Sequence, residues 1–188
     1  MNRKVTLPRK NWKVSSREYF TYFMQSQGSM LRVLMENIYF NLEGILGQAP
    51  RINFAVSNLK QACIIGGQRY SARPDGAAVI GPRDRRVPII SFVGWYEGQT
   101  WCEFLSEVLS IMLGQLAGNV TGKSQDQAVF VGGFHRLEIY IALHTKGCSE
   151  DESFDLQSTR GYNLILKEDW LEATHGLTRL LRYMGMQR

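Results

Sequence analysis

The chain has 188 residues, 44% of them hydrophobic and 21% charged, with a formal net charge of +5. That length carries one domain with a substantial core, and the composition is that of a globular protein, neither fibrous nor disordered. No apolar run nears the roughly 20 residues that span a bilayer, so no membrane partner is expected.

The first residues are basic without a following apolar stretch, so a secretory signal is not expected. Cys63, Cys102 and Cys148 are odd in number and form no C-x-x-C pair. That argues against a disulfide framework and a structural zinc, and for an intracellular compartment, nuclear or cytoplasmic.

Residues 1–14 read as an extended arm in which Arg3, Lys4, Arg9, Lys10 and Lys13 crowd together. Such a cluster suits a phosphate backbone and equally suits a solvated tail; both readings stand. Ser15 and Glu18 have capping-box spacing, and Tyr19, Phe20, Phe23 and Met24 follow as a short apolar stripe. Gly28-Ser29 is expected to break this helix. Residues 1–28 are therefore read as a basic arm with a short helix, and residues 29–188 as a single α/β domain.

Ser29 opens a longer helix with Leu31, Leu34, Ile38, Leu42, Ile45 and Leu46 at spacings of three and four, ended by Gly47 and Pro50. The period then changes to that of strands at 52–56, 62–65, 76–80 and 87–97. The last two are joined by a turn containing Arg83, Arg85 and Arg86. Thr100 caps a helix through Ala117, with Phe104, Leu105, Val108, Leu109, Met112 and Leu116 as its stripe. A polar loop at 118–127, strands at 129–134 and 137–143, and an acidic loop at 147–153 follow. A helix at about 167–184 closes the order, with Trp170, Leu171, Leu177, Leu180 and Leu181 apolar. A mixed central sheet flanked by helices is the natural packing of these elements.

Pro74-Asp75 opens one apolar strand, and its hairpin partner runs to Glu97. In this arrangement the chain resembles the PD-(D/E)xK nuclease-like superfamily, which includes restriction endonucleases and many fungal proteins. The resemblance covers roughly residues 29–145 and rests on Pro74-Asp75, the strand 88–97 and the following helix with Gln115. It implies a restriction-endonuclease-like αβββαβ core and Mg²⁺-dependent hydrolysis of phosphodiester bonds in DNA or RNA.

The chemistry accounts for the residue types. A hard dication takes carboxylate oxygens, polarises the scissile phosphate and lowers the pKa of an attacking water. Asp75 stands where the first ligand belongs, and Glu43 (with Glu36 before it) stands on the helix that adds one. The second half of the motif departs from the family. The direct match puts Val93 at the acid and Trp95 at the lysine, and neither side chain ligates a metal. If the strand continues, residues 93, 95, 97 and 99 share a face. Glu97-Gly98-Gln99 then forms an acid-x-Gln variant, with Asp75 and Glu97 as metal ligands and Gln99 and Glu43 in support. Pro-Asp-Gly is also an ordinary turn tripeptide, and Gly98-Gln99 also reads as the turn into the helix capped at Thr100.

The expectation is a nuclease-derived nucleic-acid-binding or interaction protein with a degenerate metal site; an active Mg²⁺-dependent nuclease is the alternative. Arg83, Arg85 and Arg86, beside the site, and Lys10 and Lys13 are the candidate phosphate contacts. Trp95 is the candidate anchor for a protein partner. A third reading is nucleotide binding through residues 117–124, where Lys123 stands in a loose phosphate-loop pattern. Its context is reversed, because a helical stretch precedes it and a strand follows. His135, His144 and His175 are scattered and expected at the surface or capped. Trp12, Trp101 and Trp170 are expected in the core or as helix staples.

Overall fold

A computed structural model describes residues 21–46, 52–55, 59–65, 67–81, 87–120, 128–145 and 156–186. The first element described is helix α1, Thr21–Leu46, which runs without a break through Gly28. The helix break expected at Gly28-Ser29 does not occur. Glycine inside a helix costs only about 1 kcal/mol relative to alanine, and here its lack of a side chain is used. A Cβ at Gly28 would stand 3.2 Å from the Cβ of Asp75. The helix buries Leu31, Ile38 and Leu42 of the expected stripe, and Met35 and Tyr39 beside them, with Leu34 partly buried.

Nine strands and two further helices follow among the described residues. They are β1 Asn53–Ala55, β2 Gln61–Ile65, β3 Gln68–Ala72, β4 Gly76–Ile80, β5 Val87–Val93, α2 Trp101–Val120, β6 Ala128–His135, β7 Glu138–Thr145, β8 Gln157–Ser158, β9 Tyr162–Asn163 and α3 Lys167–Met186. The main sheet has the order β1-β4-β5-β6-β7, with β8 and β9 both pairing onto β7. All pairs are antiparallel except β5 and β6, which α2 connects as a crossover. The hairpin β2–β3 stands apart from the sheet, inserted between β1 and β4, and packs on α2. The class is mixed α/β, as expected.

Helices α1 and α3 cover one face of the sheet, over Ile89, Ile90, Phe92, Phe130 and Ile139. On the other face α2 lays Phe104, Val108, Ile111 and Met112 against Val93, Val129, Val131 and Ala142. Each such side chain, fully buried, contributes roughly 1.5–3 kcal/mol. In α3 the buried residues are Ala173, Leu177, Leu180, Leu181 and Met184. Trp170 and Leu171, expected in that stripe, are exposed. Among the described residues no helix is long and apolar enough to cross a membrane.

The hairpin of β4 and β5 has the expected antiparallel pairing, from Gly76 opposite Phe92 to Ile80 opposite Val87. Strand β5 nevertheless stops at Val93, four residues short of the expected end. Glu97 and Gly98 form a turn, with Gly98 at φ 84° and the Gln99 N–H donating to the Tyr96 carbonyl at 3.0 Å. The shared strand face at 93, 95, 97 and 99 therefore does not exist. Strand β3 was not foreseen. Gly67, at φ 78°, lies in the turn before it, but Gln68–Ser71 are exposed and show no apolar alternation.

Inside the α2 layer lies a buried polar chain. Gln61 donates to Ser91 at 3.0 Å, Ser91 donates to the Gln115 carbonyl at 2.9 Å, and Gln115 donates to the Pro88 carbonyl at 3.1 Å. Gln115 thus fastens α2 to β5, and its polar atoms are engaged in the packing.

Candidate functional site

Strands β5 and β6 are parallel, with Val93 beside Gly133 at their carboxyl ends. In open α/β sheets ligands gather at such ends. Because β4 is antiparallel to β5, its first residues arrive at the same edge, and that puts Asp75 there. The Asp75 N–H donates to the Phe92 carbonyl at 2.9 Å. Its carboxylate accepts the Gly94 N–H at 2.7 Å. The next amide, Trp95 N–H, donates to the Gln27 side chain of α1 at 2.8 Å. The Trp95 indole donates to the Gln99 carbonyl at 3.2 Å, and the Gln99 amide donates to Glu107 of α2 at 3.0 Å. Residues 94–99 are held by α1, by the head of β4 and by α2 together.

Thr100 and Glu103 then form a reciprocal cap that starts α2. Glu103 accepts the Thr100 N–H at 2.8 Å, and its own N–H donates to the Thr100 hydroxyl at 3.3 Å. The Thr100 N–H and, at 2.9 Å, the Thr100 hydroxyl both donate to the Glu103 carboxylate and hold it below its usual pKa. An aromatic group fills the space between α2 and the sheet end. Trp101 stacks on Phe104 at 5.4 Å and meets Tyr140 at 4.8 Å. The His135 ring stands edge-on to Trp101 at 5.0 Å and lies 6.1 Å from Trp95. Tyr140 hydrogen-bonds Glu138, and burial together with that bond pushes its hydroxyl up to about 12. A recess lined by Trp101, Phe104, Val108 and Tyr140 has a volume near 10 Å³, room for about one water.

His135 is 8% exposed, and burial, followed by the charge of Arg136, lowers its pKa from the ordinary 6.5. Glu138 and the Gln99 backbone act in the opposite direction without reversing the shift. Protonation therefore favours the unfolded chain. The contribution of neutral His135 to stability is complete above pH 6.5 and is lost as pH falls below it through the folded-state pKa. The denaturant midpoint of the parent should drop more between pH 7.5 and pH 5.5 than that of His135→Phe. Equal drops would show that His135 is not the group responsible.

Of the residues expected at the site, Asp75 and Gln99 are at this edge, each engaged in the bonds above. Glu97 is exposed in the turn. Glu43 stands fifteen residues beyond Gly28, about 22 Å along α1 at 1.5 Å per residue, so the end of α1 that meets Asp75 is the other one. Glu36 is paired with Arg32 at 2.8 Å. Val93, which the resemblance puts at the acid position, is completely buried under α2. Lys10, Lys13, Arg83, Arg85 and Arg86 lie outside the described residues. The strand ends that the arginine turn joins, Ile80 and Val87, are at the far end of the hairpin, roughly 17 Å from Asp75, so that turn does not begin beside the site.

The phosphate-loop pattern begins at the carboxyl end of a helix. Residues 117–120 end α2, where a helix presents carbonyl oxygens and a negative dipole end, which repel an anion. Lys123 is outside the described residues. His135 and His144 are buried, against expectation, and Trp101 and Trp170 are partly exposed, also against expectation. The burial of His135 was readable: Val129 and Val131 face α2, and alternation by twos carries that face on to residue 135. Among the described residues no three His, Cys, Asp or Glu side chains gather in a way that would hold a metal ion. Compared with models of protein families, with curated proteins and with solved structures, the chain matches none of them.

Proposed function

We propose that the protein is a nuclease-derived nucleic-acid-binding protein whose metal centre has degenerated. The order α1, antiparallel β1-β4-β5, crossover α2, parallel β6 supports a restriction-endonuclease-like core with β2–β3 as an insertion. The observation that carries the reading is the bond from the Gly94 N–H to the Asp75 carboxylate at 2.7 Å. The residue that would be the first metal ligand is engaged in fixing the end of β5.

The rest of the ligand set fits Mg²⁺ poorly. A dication of this kind is held by several oxygens, and the second carboxylate position is the buried Val93. The lysine position is Trp95, whose indole bonds to the Gln99 carbonyl. What remains is the positive net charge and the basic cluster in residues 1–17, which favour a polyanionic partner.

The test combines cleavage with binding. The purified chain should cut neither labelled DNA nor labelled RNA in Mg²⁺ or Mn²⁺. It should bind them with an affinity that falls by about 0.7–0.9 log units per log unit of salt for each phosphate contact. Absence of binding at low salt would remove nucleic acid and leave a protein partner anchored on Trp95. Robust cleavage abolished by Asp75→Ala and by Glu97→Ala would restore the active nuclease.

A further inference from the structure

Arg136 sits at a backbone position that suits glycine. Strands β6 and β7 are joined by two residues, with His135 paired to Glu138 across Arg136 and Leu137. Arg136 has φ 58° and is the one non-glycine residue with positive φ among those described. In a two-residue hairpin loop, a first position with positive φ is one that glycine usually takes. A large side chain kept at a strained position is a pointer to use.

The charge at this position is not consumed by an acid. Arg32 pairs with Glu36, and Arg160 pairs with Asp169 and Glu172. Among the described residues no carboxylate pairs with Arg136. Its charge reaches the neighbouring His135 ring, and that ring contacts both Trp95 and Trp101. Trp101 is 38% exposed while Phe104 backs it from inside. Glu103 is engaged in the cap of α2, and Glu138 accepts the Tyr140 hydroxyl. Arg136, exposed at the turn, thus directly follows the residue whose ring lies 5.0 Å from the half-open Trp101 indole, at the carboxyl end of the parallel strands.

We propose that Trp101 and Arg136 form a platform for an unpaired nucleotide, so that the nucleic acid bound here is single-stranded. The inference rests on the nucleic-acid reading above and narrows it. A base can stack on an indole only when its own face is free, which duplex stacking prevents. Arginine beside the ring then meets the phosphate of the stacked nucleotide, and every base offers the same face, so sequence preference should be weak.

The experiment titrates the full chain against labelled oligothymidylate and against a duplex of the same length. The single strand should bind several-fold more tightly. Trp101→Ala and Arg136→Gly should each weaken it by roughly 10-fold, with Trp101→Phe retaining most of the affinity. Arg136→Gly relieves the turn, so its thermal midpoint should be no lower than the parent's, and its lost binding cannot be blamed on unfolding. Unchanged affinity in either variant, or equal binding of the duplex, overturns the platform and leaves the nucleic-acid reading standing. Failure of the parent to bind either nucleic acid overturns both.

Discussion

Phe104→Ala should lower the stability of the protein by about 3–5 kcal/mol. The ring is 1% exposed and lies between Trp101, His135 and Tyr140. Across from it is Gly133, where an added Cβ would fall 2.6 Å from the tip of the ring. Phe104 thus occupies the space that a side chain on β6 would otherwise fill. With the ring gone, the residue opposite has no atoms to move into the gap, so the cavity closes poorly and the cost belongs toward the upper end. A shift in urea midpoint with an unchanged slope is the reading expected. A loss under about 1 kcal/mol would mean that Trp101 or Tyr140 collapses into the space, against the tight packing described. The same geometry makes Gly133→Ala an overpacking change of about 1–3 kcal/mol.

Asp75→Ala should cost about 2 kcal/mol, within the range for a hydrogen bond to a charged group. Removing the carboxylate leaves the half-buried Gly94 N–H without its acceptor at the point where β5 ends. Asp75→Asn retains an oxygen that can accept and should lose less. Glu97→Ala, in the exposed turn, should stay within about 0.5 kcal/mol of the parent. This ordering separates a structural aspartate from a catalytic one. Residues kept for chemistry are often neutral or stabilising when removed, because function holds them in unfavourable surroundings. If Asp75→Ala proved as stable as the parent, the Gly94 bond would carry little and a working metal site would gain support.

The sequence made some of this legible through local signals. The start of α2 is written in Thr100 and Glu103, whose reciprocal bonds need only three residues of chain. The β4–β5 hairpin is written in two apolar runs and the turn between them. The features missed depend on distant partners. Whether Gly28 breaks a helix depends on Asp75 packing against it, 47 positions later. Where β5 ends depends on Asp75 and Gln27 taking the amides that another strand would have taken. Glu97 reads as a strand residue until those two bonds are known, and then it belongs to a turn. Asp75 was found for its carboxylate, but its partner could not be read from a run of residues.

The bond between Gln27 and the Trp95 amide joins positions 68 apart in the chain. Gly94 and Trp95 consequently have amide protons guarded by side chains of other elements, with no ladder of strand bonds around them. Their exchange with solvent measures how often α1 lifts and how often Asp75 lets go, while the sheet stays intact. The edge of the sheet where a ligand would enter can loosen through these two latches alone, without cooperative unfolding of the core behind it.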